Sequence, residues 1–304
     1  MENSLESQDK FELRENSRNN TVALILDTLD VSRVVVYMQE NNIYHLEINS
    51  NVFPGKNIDF IDDFYFLEGI SIVGFPPIDI TPLNRLSNLK SITMDTVREG
   101  KIDFGNFPKL ERCYYCWGVK GADTIFNASS TLKELTIRRY KQSEKHDFSN
   151  FINLKVLELF APNISNLNSI RMLNKLTSLY LDSCRKLVDI SLLSEFVNLK
   201  RLSLEYCKKI NDLTPIKKLT NLEFLDISDM ADINTVSFLE EFINLDTLLI
   251  KGETKILDGN INSIANLYKK GTLKFIALRH RKFYTHKKED FGYVRPGPSF
   301  FLKK

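Results

Sequence analysis

The chain has 304 residues, 26% of them charged and 43% hydrophobic, with a formal net charge of +2. Charges of both signs are interspersed, so overall charge gives no argument for nucleic acid or a membrane surface as partner. No window approaches the roughly 18 to 20 consecutive apolar residues that span a bilayer, so no membrane-spanning helix is expected.

Residues 1–20 are polar and lack the apolar stretch of a secretory signal, which leads us to expect a cytoplasmic protein. The segment TVALILDTLDVSRVVVYMQENN is apolar enough to pack on the first repeat, with Asp30 or Ser32 as caps of a helix through Gln39. Its valine run leaves helix and strand both open. From Ile43 onward, eleven segments share the pattern Leu-x-x-Leu-x-Leu or a close aliphatic variant. They begin at Ile43, Leu67, Leu89, Leu110, Leu132, Leu154, Leu176, Leu199, Leu222, Leu245 and Leu273, at steps of 21 to 28 residues. A period held this steadily marks stacked supersecondary units, each unable to bury its apolar face alone.

The stretch LKRLSLEYCKKINDLTPIKKLTNL from Leu199 to Leu222 shows how one unit is built. Leu202 and Leu204 are two apart and share one face of a short strand, while Arg201, Ser203 and Glu205 take the other. Ile210, Leu213, Ile216, Leu219 and Leu222 then recur every third residue, which suits a 3₁₀-like return that buries a single stripe. Eight residues before each next repeat stands Thr81, Thr124, Asn168, Ser191, Thr214 or Ser237, all suited to capping a helical turn, and Pro82 and Pro215 would come next as first helical residues. Asn88, Asn153, Asn198, Asn221 and Asn244 form a second column just before the strands, consistent with a turn conformation that asparagine tolerates. Before Leu132 aromatic residues replace several leucines, as in FPGKNIDFIDDFYF. Past Leu278 the chain carries eight Lys or Arg against Glu289 and Asp290. The organisation expected is a tail and cap over 1–42, an array of about eleven strands over 43–278, and a basic cap over 279–304.

These units, above all Leu176 to Leu245 with INDLTPIKKLTNL and LVDISLLSEFVNL, resemble the 22-residue class of leucine-rich repeats found in internalins and in the leucine-rich regulatory subunit of protein phosphatase 1. The resemblance covers about residues 43–278. It implies an α/β solenoid with a curved parallel β-sheet on the concave face and short 3₁₀ or helical turns on the convex face. It further implies a protein that binds another protein through the sheet. Cys184 and Cys207 stand where such repeats usually carry Asn or Cys, and are read as structural.

No catalytic site and no cofactor are expected. Histidine occurs only at 45, 146, 280 and 286, and no HExxH, GxSxG, GxxxxGK[ST] or GxGxxG is present. The aspartates of the IxD returns recur with the period, as residues that serve the fold would. Cys113 and Cys116 are an odd number of residues apart on a strand, so a shared zinc is not expected.

Positions two, four and six after the first leucine should line the exposed sheet face. Reading them across repeats places Asp182 beside Glu205, with Glu158 and Asp226 close by, as an acidic band. Like charges on neighbouring strands cost up to about 1 kcal/mol per pair, so folding alone does not call for them. Phe160, Tyr180, Arg201, Tyr206 and Phe224 frame the band, and aromatic residues and arginine are common interface anchors. A second, basic and aromatic cluster comprises Arg112, Tyr114, Trp117, Arg138, Arg139 and Tyr140. The reading is a monomeric, non-catalytic module that binds a partner protein with a basic surface, such as an inhibitor or immunity protein masking a basic toxin. The alternatives are nucleic-acid contact through Arg138, Arg139 and the basic C-terminal segment, or a structural scaffold.

Overall fold

The computed structural model describes residues 11–16, 21–95, 99–128, 130–143 and 145–291. The chain divides after Ala128 into two compact units. The N-terminal unit holds β1 (Leu13–Asn16), β2 (Thr21–Ile25), helix α1 (Val31–Glu40), β3 (His45–Asn49), β4 (Gly69–Val73), β5 (Ser91–Met94), β6 (Arg112–Cys116) and the one-turn helix α2 (Ile125–Ala128). The C-terminal unit holds β7 (Glu134–Arg138), β8 (Val156–Phe160), β9 (Ser178–Asp182), β10 (Arg201–Ser203), β11 (Phe224–Asp226), β12 (Thr247–Ile250), helix α3 (Asn262–Lys269) and β13 (Phe275–Leu278). All eleven leucine-template segments become strands, β3 to β13, each starting two residues after its first leucine. Within each unit the strands pair with their sequence neighbours in parallel, apart from the antiparallel β1–β2 pair.

Register explains why the template works. Leu202 pairs with Leu179 on one side and Leu225 on the other, so the same repeat position stacks on itself. Leu199, Leu202, Leu204, Cys207, Ile210, Leu219 and Leu222 are all fully buried. Each such aliphatic side chain contributes about 1.5–3 kcal/mol by leaving water. In the N-terminal unit phenylalanines fill the same stripe: Phe53, Phe60 and Phe64 meet edge to face, at 5.8 and 6.0 Å between ring centres. The valine-rich segment resolves into both structures: β2 takes Thr21–Ile25, and α1 buries Val34 and Met38. Asp30 is its cap, accepting from the Arg33 amide at 3.3 Å.

The returns are 3₁₀ turns, but their caps are not those expected. Thr81, Ser191, Thr214 and Ser237 are the first residues of the turns Thr81–Arg85, Ser191–Glu195, Thr214–Lys218 and Ser237–Glu241, and Asn168 opens Asn168–Ile170. Their own amides are capped from two residues earlier, by Asp79, Asp189 and Asp212 at 2.8 Å, by Asn166 at 3.0 Å and by Thr235 at 3.2 Å. A short side chain folding onto the amide two residues ahead is the side-chain version of a turn. The periodic aspartates of the IxD returns are therefore caps, and Pro82 and Pro215 come second in their turns, not first. Thr124 ends its turn: its hydroxyl donates to the Gly121 carbonyl at 2.7 Å and accepts from the Phe104 amide at 2.9 Å.

The asparagine column likewise acts between repeats. Asn88, Asn153 and Asn221 donate their side-chain amides to Tyr65, Ser130 and Val197 carbonyls of the preceding repeat at 3.1, 2.8 and 2.9 Å. The left-handed conformation falls elsewhere, seven residues after the first leucine, at Arg139, Ala161, Ser183, Tyr206 and Asp229, with Gly252 at the same place. Helix α3 accounts for the 28-residue last step. Beyond β13, Tyr284 turns back onto the last return and its hydroxyl accepts from the Ile256 amide at 3.1 Å. Residues 1–10 and 17–20 of the expected tail and 292–304 of the expected basic cap lie outside the described residues.

Candidate functional site

Strands β8 to β12 align the non-leucine positions of their template into rows on the face opposite the leucine core. Glu158 pairs with Tyr180, Tyr180 with Ser203, Ser203 with Asp226 and Asp226 with Leu249, while Phe160 pairs with Asp182. These are the columns read from the sequence. What the sequence did not reveal is how much of the row is consumed by contacts within it.

Phe224, expected in the open frame, is 1% exposed and clusters with Leu249 and Phe275, flanked by Tyr180 and Ala277. The Arg201 guanidinium lies 4.6 Å from the centre of the Phe224 ring. The Arg201 Nε also donates to the Tyr180 hydroxyl at 2.7 Å. Arginine thus covers one aromatic side chain and tethers another, a use of its flat cation that lysine cannot copy. Glu158 is buried and accepts from the Thr136 hydroxyl at 2.9 Å. Strands about 4.8 Å apart let long side chains in one row reach each other, so Phe224, Glu158 and Asp226 sink beneath their neighbours instead of standing open.

Asp226 is 0% exposed. Its Oδ1 accepts from the Ser228 amide at 2.9 Å, and its Oδ2 has no hydrogen-bond partner among the described residues. Burial raises its carboxyl above the ordinary value, opposed by the Ser228 hydrogen bonds and by the Lys251 charge. Glu205 is partly exposed and is pushed up to about 6, first by burial and then by the charge of Asp226, with Lys251 pulling the other way. Lys251 Nζ stands 3.9 Å from Glu205 Oε1, and Lys208 Nζ 3.7 Å from Asp229 Oδ1. Asp182 is partly exposed and accepts from the Ser183 hydroxyl at 2.5 Å. Tyr206 is 45% exposed at the strand end, and the neighbouring charges of Asp229 and Glu205 raise its hydroxyl. Asp182, Glu205 and Tyr206 thus form the solvent-facing part, with Phe160, Tyr180 and Arg201 half-buried beside them. Asp229 was missed because it occupies the left-handed position, not a strand position.

The second expected cluster divides between the units. In the N-terminal unit, Arg112 is half-buried with Nη1 3.9 Å from Glu111 Oε2, and Tyr114 pairs with Thr93. Trp117 packs with Tyr115 and Phe126, each at 6.3 Å, which is the core side and not the open face. In the C-terminal unit Arg138 and Arg139 are exposed, but Tyr140 is 0% exposed and packs on Phe148. Trp117 continues the parity of the buried Cys113 and Tyr115, whereas Tyr140 stands eight residues after its first leucine, the place that buried Cys184 and Cys207 hold in later repeats.

All four cysteines are buried thiols outside any disulfide, and Cys207 donates its thiol to the Leu181 carbonyl at 3.4 Å, as a structural residue at that position should. No group of three or more His, Cys, Asp or Glu among the described residues could hold a metal ion. No helix among the described residues is long and apolar enough to cross a membrane.

In-register parallel strands joined by 3₁₀ returns define the leucine-rich-repeat fold, and this chain has it. An internalin from Listeria monocytogenes is similar with a TM-score of 0.55 and 16% identity, over 78% of this chain and 68% of that one. Toll from Drosophila, solved in complex with Spätzle, is similar with a TM-score of 0.53 and 12% identity, over 85% of this chain and 43% of that one. No family model and no curated protein matches the chain.

Proposed function

We propose that the chain is a non-catalytic binding module whose C-terminal unit receives a basic surface of a partner protein on the β8–β12 face. The observation that carries this reading is the pair of half-open carboxylates, Asp182 at the end of β9 and Glu205 just past β10, beside exposed Tyr206 and brought together by the Ser183 amide donating to the Glu205 carbonyl at 2.9 Å. Like charges so placed destabilise the sheet, and burial around Glu205 makes its charge costlier still. A cationic partner relieves both costs while steering the encounter. Toll, a protein of the same fold, is known in complex with another protein, Spätzle, which agrees with this use of the fold. A basic toxin masked by an inhibitor is one partner of the required chemistry.

Nucleic-acid contact through Arg138, Arg139 and the basic C-terminal segment is the weaker reading, because Arg279 and Arg281 already share Glu253. The test is charge reversal, Asp182→Lys with Glu205→Lys, on the full chain. Partners captured from the native cell by the wild-type chain should lose affinity by about thirtyfold or more, with a flattened salt dependence. Unchanged affinity, or retention on DNA that weakens steeply with salt, would count against the proposal.

A further inference from the structure

Among the described residues, Asp226 is the one acid of this face that neither meets water nor is satisfied within the protein. Buried carboxylates are ordinarily paired on both oxygens, and an unpaired one calls for an explanation. Here Oδ1 takes the Ser228 amide and Oδ2 takes nothing among the described residues. The Ser183 amide donates to the Glu205 carbonyl at 2.9 Å and the Leu204 amide to the Asp226 carbonyl at 2.8 Å, so the three acids share one locality, and the charge of Asp226 acts on Glu205. Lys251, the chain's own cation there, only reaches the edge of an ion pair, 3.9 Å from Glu205, and is 41% exposed. The acids do not converge as metal ligands, so the missing group is one that brings hydrogen-bond donors of its own.

We propose that this locality is a lysine receptor: the partner inserts one lysine, whose ammonium is taken up by Asp226 Oδ2 together with Asp182 and Glu205. Three carboxylates match the three donors of an ammonium, a compact charge whose separate N–H groups can each take a different oxygen. Arginine's planar fork suits a single open carboxylate better than three separate ones. On arrival the partner's ammonium supplants that of Lys251 beside Glu205. The apolar cluster of Phe224, Leu249 and Phe275 adjoins Asp226 through the Asp226–Leu249 pairing, and lowers the local dielectric in which that ammonium acts.

The inference rests on the docking reading above, and one experiment separates them. A random peptide library displayed on phage is selected on the immobilised full chain, with Asp182→Lys protein used to identify clones that bind this face. Face-directed peptides are resynthesised with blocked N-termini. We expect an obligatory lysine whose change to arginine or methionine lowers affinity about thirtyfold or more on the wild-type chain, but only slightly on Asp226→Asn. Glu205→Gln, checked for folding alongside Asp226→Asn by thermal unfolding, should give the same loss of discrimination. Face-directed peptides that tolerate arginine or methionine, or that bind Asp226→Asn with the same lysine preference, overturn the lysine receptor and leave the docking reading intact. A selection yielding no peptide sensitive to Asp182→Lys overturns both.

Discussion

Replacing Asp226 by Asn isolates the energetic tension at the centre of the sheet face. The amide keeps an oxygen for the Ser228 amide and removes the charge from a site with 0% exposure. Leaving a buried polar atom without a partner costs about 1–3 kcal/mol, and more when it is charged, so Asp226→Asn should stabilise the C-terminal unit by about 1–2 kcal/mol at pH 7.5. Because the folded carboxyl sits above its ordinary value, the fold favours its protonated form. Stability from this residue is therefore fully present below the unfolded value of about 3.9 and is lost as pH rises through the folded value. The advantage of the variant should accordingly be largest at neutral pH and vanish towards pH 4. Urea titration at pH 4.5, 6 and 7.5 measures it. Hydrogen exchange of the β11 amides adds a local reading that does not assume one cooperative transition across two units. A variant less stable than wild type at pH 7.5, or a difference that ignores pH, would refute the reasoning.

Asp212→Ala removes the cap on the Thr214 amide and should cost about 1 kcal/mol in chemical unfolding. Since hydrogen bonds from Thr214 hold Asp212 below its usual value, that penalty is present at neutral pH and lost as pH falls through the folded value. Ala161→Gly, at a left-handed position of φ 47°, should stabilise by up to about 1 kcal/mol, read from the same titration. Leu202→Ala, at a fully buried position between two like leucines, should cost about 2–5 kcal/mol. Because Glu205 loses its proton near pH 6, affinity for a basic partner should weaken as pH drops through that value, measurable by calorimetry.

The strands were legible because the leucine template encodes them twice, by spacing of two within a strand and by the repeat length that brings equal positions together. Hence the Tyr180, Ser203 and Asp226 row was readable in advance. The caps were not, because Thr81, Ser191 and Thr214 have the composition of helix caps, whereas a 3₁₀ turn draws its acceptor from two residues earlier. Burial on the open face was also hidden. Alternation tells which face Phe224 takes, but not that Arg201 will lie across it or that Asp226 will sink below Glu205. Those outcomes depend on side-chain lengths in three adjacent strands at once. Trp117 and Tyr140 were misplaced for a simpler reason: their composition suggested an interface, while the parity of Trp117 and the alignment of Tyr140 with Cys184 and Cys207 pointed to the core.

The asparagine contacts make the array modular. The repeats that begin after Asn88, Asn153 and Asn221 offer an amide backwards, as Asn221 does to Val197 at 2.9 Å. A spliced-in copy of residues 199–221 would carry Asn221 and, at Thr220, the carbonyl equivalent to that of Val197, so the molecule can lengthen or shorten by whole modules without leaving a mismatched seam. Variation within a repeat is taken up in its return, as α3 does in the 28-residue last step, so changes in overall length are expected to come in complete units.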